Sequence, residues 1–192
     1  MNTDNKVIII TGPSGGGKTT LAAQIMQDFT YIKRSVSATT RPPRSGEKED
    51  IDYYFLSKDI FEKKLNEGKF LEWEQVYDGL YYGTLLSEVH KLQENNYIVL
   101  FVLDVNGAKR VKDYFGENAL SVFVKPPSLE VLQERLLKRG TETEATMQKR
   151  MLRAKKEMLY EPEFDAILIN DELNLSYRAL KFMIEGFIQE HK

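Results

Sequence analysis

The amino-acid sequence predicts an α/β fold, three layers of α/β/α around a mostly parallel sheet. Apolar runs of strand length alternate with helix-period patterns along most of the 192 residues, as expected of strands joined by crossover helices. The first apolar run passes directly into a glycine-rich turn and then a helix. Polar residues also collect just beyond the C-terminal ends of three runs, on the rim where open parallel sheets hold ligands. A chain of this length buries a sizeable core as one domain, with residues to spare for inserted segments.

Each element follows from its local pattern. Val7–Ile10 is short, apolar and β-branched, a buried strand, and Thr20–Phe29 reads as the helix after it. From about 35 to 85 the alternation breaks down. Arg, Pro, Gly, Tyr and Glu dominate there, with short strand-like pieces and one helix at Asp59–Leu65, so the segment reads as an inserted subdomain. Lys33-Arg34, just before it, reads as a solvated pair. A helix at Leu86–Gln93 leads to the strand Tyr97–Leu103, the helix Gly107–Tyr114 and the strand Leu120–Val124. Pro126-Pro127-Ser128 marks a break and a helix start, with Ser128 suited to cap the helix Leu129–Lys138. Residues 138–157 are highly charged and weakly apolar, and with the helix Ala145–Leu159 they read as a solvated helical lid. The strand Ala166–Ile169 and the helix Tyr177–Gln189 close the chain.

Composition narrows the function classes. There are no cysteines, which excludes disulfides, thiolate metal sites and a cysteine nucleophile. A net charge of −2 argues against a broad nucleic-acid surface, so anion-binding basic residues must be concentrated locally. No apolar run approaches a membrane span, and the polar start MNTDNK flows straight into the first strand. A cytoplasmic protein with no membrane or nucleic-acid partner is the expectation; oligomeric state is not legible.

Residues 12–19 read Gly-Pro-Ser-Gly-Gly-Gly-Lys-Thr and fit G-x-x-x-x-G-K-[ST] at every fixed position. Each residue type has a physical task. Glycines allow the tight turn that points successive N–H groups at a phosphate chain. Lys18 brings a mobile positive charge to the outer phosphates, and the Thr19 hydroxyl can ligate Mg²⁺. The helix N-terminus adds partial positive charge at the same place. With a strand before it and a helix after it, the motif predicts a phosphate-loop (P-loop) NTPase fold that binds a nucleoside triphosphate.

A second constellation lies in the insertion. Two prolines separate Arg41 from Arg44 and stiffen the backbone between two guanidinium groups, an arrangement suited to a second phosphate. Tyr53 and Tyr82 can add hydroxyl donors. Together with the phosphate loop, the stretch S-x-S-x-T-T-R-x-P-R-x-G-E at 35–47 resembles the guanylate kinase family. The likeness continues through Asp52-Tyr53-Tyr54-Phe55, Phe70-Leu71-Glu72-Trp73, Tyr81-Tyr82-Gly83-Thr84, Asp104-Val105-Asn106-Gly107, Arg139-Gly140-Thr141-Glu142-Thr143-Glu144 and Ile169-Asn170-Asp171, in the family's order and spacing.

That resemblance implies ATP-dependent phosphorylation of GMP, and of dGMP, to give ADP and the nucleoside diphosphate. It implies that Gly12, Pro13, Ser14, Gly15, Gly16, Gly17, Lys18, Thr19 and Thr20, with Asn170, bind ATP, and that Thr19 helps hold Mg²⁺, the one cofactor expected. Ser37, Arg41, Arg44, Tyr53, Glu72, Tyr82, Thr84 and Asp104 would line the GMP site, with Arg41, Arg44, Tyr53 and Tyr82 on the acceptor phosphate. Glu72 would read guanine, whose N1–H and N2–H₂ offer two parallel donors where adenine offers an acceptor at N1. Lys18, Arg41, Arg139 and Arg150 would supply charge to the reacting phosphates, Arg139 and Arg150 from the lid in preference to Arg135 and Arg153. Asp104 has two readings, organising Mg²⁺ or recognising the acceptor; the second is preferred.

Two positions depart from the family pattern. Val102 stands where another acidic residue is common, which would weaken the ordering of Mg²⁺, and Thr84 replaces a frequent serine while keeping the hydroxyl. Two other functions compete with the leading one: a non-catalytic module that holds phosphorylated protein partners, and a kinase for another small phosphorylated acceptor such as a ribose phosphate. The first would not need an intact phosphate loop; the second would not need Glu72.

Overall fold

The computed structural model describes residues 5–77, 79–138 and 144–189. In chain order its elements are β1 (Val7–Thr11), α1 (Lys18–Asp28), β2 (Ile32–Arg34), β3 (Ser37–Thr39), β4 (Tyr53–Phe55), α2 (Lys58–Asn66), β5 (Phe70–Tyr77), β6 (Leu80–Leu85), α3 (Leu86–Glu94), β7 (Ile98–Val102), α4 (Val105–Phe115), β8 (Ala119–Lys125), α5 (Leu129–Lys138), α6 (Glu144–Met158), β9 (Ala166–Ile169) and α7 (Leu173–Gln189). They form two sheets.

The larger sheet has the order β2-β7-β1-β8-β9, and every pairing in it is parallel. This is the α/β/α architecture expected from the alternation of patterns. β1 is central and wholly buried, which explains its unbroken run of β-branched residues: both of its faces are covered by helices. Successive side chains go to opposite faces. Ile8, Ile10, Ile98, Leu100, Val122 and Val124 pack on one side with Leu21 and Ile25 of α1 and Leu180 and Ile184 of α7. Val7, Ile9, Val99, Phe101 and Phe123 pack on the other with Val89 of α3 and Ala108 and Val111 of α4.

The smaller sheet has the order β4-β3-β6-β5, with β3 parallel to β4 and antiparallel to β6, and β6 antiparallel to β5. Its core is thin: Ala38, Phe61 and Leu85 are buried, and Tyr54, Leu56, Phe70, Trp73 and Tyr81 pack partly against them. Polar contacts fasten it to the rest. Glu88, buried near the start of α3, accepts from the Val36 N–H at 3.4 Å and from the Tyr54 hydroxyl at 2.7 Å. On α4, Arg110 donates to the Trp73 carbonyl, and its guanidinium lies 5.9 Å from the Trp73 ring centre. α5 and α6 pack on each other through Leu132, Leu136, Met147 and Ala154. Among the described residues no helix is long and apolar enough to cross a membrane.

The C-terminal ends of β1, β7 and β9 lead to the phosphate loop, Asp104 and Asn170, all on one rim, and the smaller sheet stands across from that rim. β2, absent from the sequence reading, is only three residues long. Its pairing with β7 splits Lys33 from Arg34, leaving Lys33 exposed and Arg34 half-buried beside the rim. The reading of both as solvated is therefore corrected for Arg34.

Candidate active site

The phosphate loop follows β1 without a break, and its backbone could not take this path with larger residues. Gly12 sits at φ +127°, and a Cβ there would run into the Val124 carbonyl of β8. Lys18 Nζ donates to the carbonyls of Gly12 at 2.6 Å and Pro13 at 3.1 Å, so the lysine folds over the loop it follows. Asn170 lies behind the loop, 4% exposed, and its amide donates to the Gly16 carbonyl at 2.8 Å. Thr19 and Thr20 are exposed on the first turn of α1.

A cleft of about 450 Å³ runs between this loop and the smaller sheet. Its walls bring together Gly12, Ser14, Lys18 and Thr19 with Ser37, Tyr53, Glu72, Tyr82, Asp104 and Arg150. The other expected residues stand around it. Thr84 is behind Glu72 and donates its hydroxyl to Glu72 Oε1 at 2.7 Å. Arg41 donates from Nε to the Tyr82 hydroxyl at 3.2 Å, lies 5.5 Å from the Tyr53 ring centre and donates from Nη2 to both carboxylate oxygens of Glu47 at 2.8 and 2.9 Å. Arg44 is exposed, outside the cleft wall, and its backbone N–H is held by Glu47 at 2.7 Å. Arg150 reaches Ser14 Oγ at 3.5 Å from α6. Arg139 lies outside the described residues.

Three carboxyls dominate the electrostatics. Glu72 is 5% exposed; burial pushes its carboxyl up to about 7 even though the Thr84 hydroxyl works the other way, and the Asp104 charge adds to the rise. Such a group needs close packing on every side. A Cβ at position 107 would come within 2.8 Å of Glu72 Oε2, so the first turn of α4 approaches the carboxylate because Gly107 has no side chain. Glu74 is also raised to about 7, first by the neighbouring Asp104 carboxyl and then by burial. Burial disfavours the charged form of Asp104, but Glu74, the Gly107 N–H and Arg153 outweigh it and hold this carboxyl below the ordinary aspartate value. Asp104 also caps α4, accepting from the Gly107 N–H at 2.9 Å.

Arg153, set aside in the sequence reading, turns out to bridge the elements. From α6 it pairs with Asp104 at 3.3 Å, Glu74 at 3.9 Å and Glu157 at 2.7 Å. Glu74 and Glu157 also line the cleft, and neither was expected there. Their sequence signal was weak, because the contact depends on how α6 approaches β5.

Comparison with known proteins decides the family. The family model described as guanylate kinase matches residues 4–187. This chain belongs to the guanylate kinase family. The guanylate kinase of Chlorobium chlorochromatii is 43% identical over 183 residues, covering 95% of this chain and 96% of its own. That of Prochlorococcus marinus is 44% identical over 181 residues, covering 94% and 97%. The crystal structure of guanylate kinase from Anaplasma phagocytophilum superposes with a TM-score of 0.76 at 24% identity, covering 97% of this chain and 87% of its own, and shows the same fold. The likeness to guanylate kinases thus extends over both sheets and the α6 segment together.

Proposed function

We propose that this chain transfers the γ-phosphoryl group of ATP to GMP, and to dGMP, forming ADP and the nucleoside diphosphate. The observation that carries the reading is Glu72, a carboxyl buried to 5% exposure that still lines the same cleft as Lys18 and Thr19. Burying an acid is costly unless a partner repays it, and guanine supplies two N–H donors on one edge. The wrong base would leave Glu72 and Thr84 unpaired, which is how a buried polar site discriminates strongly.

The reaction needs little covalent help. An oxygen of the acceptor phosphate attacks the γ-phosphorus, and the bond to the bridging oxygen breaks, leaving its electron pair on ADP. The attacking phosphate is already ionised, so no general base is required. The residues bind and orient: the loop N–H groups and Lys18 take the triphosphate, while Arg41, Arg44, Tyr53 and Tyr82 take the acceptor phosphate. Lys18 must leave the Gly12 and Pro13 carbonyls to do so. Arg150, with Arg139, would add charge from the lid side, and closure would exclude water as a competing acceptor.

Among the described residues no cluster of three or more His, Asp or Glu could hold a metal by itself. The exposed Thr19 hydroxyl on the cleft wall does suit Mg²⁺, a cation usually held by one or two protein oxygens and the substrate phosphates. When bound, it would neutralise charge on the β- and γ-phosphates. Substituting Lys18 by Ala tests the assignment: ADP release should fall by about 100-fold or more, while calorimetry still detects GMP binding. Unchanged turnover would overturn it.

A further inference from the structure

Beside the cleft lies a smaller cavity of about 110 Å³, and a half-buried arginine opens onto it. Arg34, the last residue of β2, lines this space with Ser35 and Asp52. Thr19, Ser37, Tyr53 and Val102 line both spaces, so the smaller one is a side chamber of the cleft. Among the described residues the Arg34 side chain makes no hydrogen bond or ion pair, and it acts electrostatically on Tyr53. Asp52 does not pair with it; its Oδ2 accepts from the Lys48 N–H at 2.8 Å. Ser35, 7% exposed, has a buried Oγ with no hydrogen-bond partner among the described residues. Val102, an apolar residue on the wall, offers the guanidinium no counter-charge.

A partly desolvated guanidinium with no ion-pair partner among the described residues, lining a small chamber, is costly in isolation and matches the oxygens of a phosphate. We infer that Arg34 is a further phosphate-binding residue of this site, reaching the 5′-phosphate of GMP from the side chamber. The inference rests on the proposed function and extends it, since the sequence reading held that phosphate with Arg41, Arg44, Tyr53 and Tyr82. The two arginines that act on Tyr53 differ in readiness. Arg41 is held by Glu47 through both carboxylate oxygens, and Arg34 has no such competitor among the described residues.

The test is titration of GMP, and separately of guanosine, into wild type, Arg34→Met and Arg34→Lys, by calorimetry without ATP. Methionine keeps the aliphatic stem and removes the charge; lysine keeps a charge and gives the same comparison if the first variant does not fold. GMP affinity should fall about 10-fold or more in Arg34→Met and less in Arg34→Lys. Guanosine affinity and the KM for ATP should stay within twofold. Unchanged GMP affinity in a folded Arg34→Met, or an equal loss for guanosine and GMP, would overturn the inference. GMP binding that depends on Arg34 in a wild type that releases no ADP would sink the proposed activity and leave the inference standing. Failure of wild type to bind GMP would end both.

Discussion

The five-stranded sheet and the four-stranded sheet face each other across the cleft and are stabilised by different means. The larger is a parallel sheet whose central strand is buried on both faces, and it presents its ligand site mostly as backbone, a loop of glycine turns leaning on β8 and Asn170, with the Lys18 side chain folded over it. Among the described residues the smaller buries only Ala38, Phe61 and Leu85 in its apolar core and depends on polar ties through Glu88, Thr84, Arg110 and the Arg41–Glu47 pair. Its ligand site is made of side chains, and two of the acids, Glu72 and Glu74, are held near 7 by burial and by each other's neighbours. Backbone N–H groups do not titrate and are indifferent to most substitutions. The donor side should therefore tolerate changes in pH, while the acceptor side should respond to pH and to single atoms.

The largest expected departure is Glu72→Gln. It keeps the shape and replaces one carboxylate acceptor by an amide N–H₂ that faces the guanine donors. We expect kcat/KM for GMP to fall about 100-fold or more, with the KM for ATP within twofold. Equal losses for both substrates would mean that the two sites are not separate in the way described.

An intermediate effect comes from pH. Because burial raises Glu72, the empty site keeps its full stabilising contribution below the ordinary glutamate range and loses it as pH rises through about 7. GMP needs the opposite state, since its N–H groups donate to a carboxylate. GMP affinity should thus weaken as pH falls below about 7, approaching about tenfold per pH unit for one proton. Glu74, Asp104 and Arg153 face the same region and will shape the curve. The phosphate of GMP titrates near 6 as well, so the part that disappears in Glu72→Gln belongs to Glu72. ATP affinity measured over the same range should change much less, and a parallel decline would contradict the contrast between the sheets.

The smallest effect expected is at Arg153. Its pairs with Asp104 and Glu74 are half-exposed, and pairs of that kind contribute little individually. Arg153→Ala should raise the KM for GMP about two- to fivefold, because the two acids then face the acceptor without their cation. A larger change in the KM for ATP than for GMP would place Arg153 on the donor side.

Legibility in the sequence divides along the same line. The parallel sheet was readable because buried strands of Val and Ile, and glycines forced by backbone geometry, are local signals: β1, β7, β8 and β9 and the loop at 12–19 all lie where the pattern places them. β2 was not, since Ile-Lys-Arg carries one apolar residue and becomes a strand only through its pairing with β7. The strands of the insertion were visible only as fragments, their stability coming from cross-strand and polar contacts rather than periodicity. Glu72 stood out through its family resemblance; Glu74, Arg153 and Glu157 did not, because they meet only when α6 comes over β5. Arg34 was misjudged for the same reason as β2.

Guanine selectivity in the transfer reaction is read from ADP release by wild type with Mg²⁺-ATP and, in turn, GMP, dGMP, AMP, CMP and UMP. Release is expected with the two guanine acceptors and at least about 100-fold less with the others. Comparable release with AMP or the pyrimidine nucleotides, or none with GMP, would contradict it.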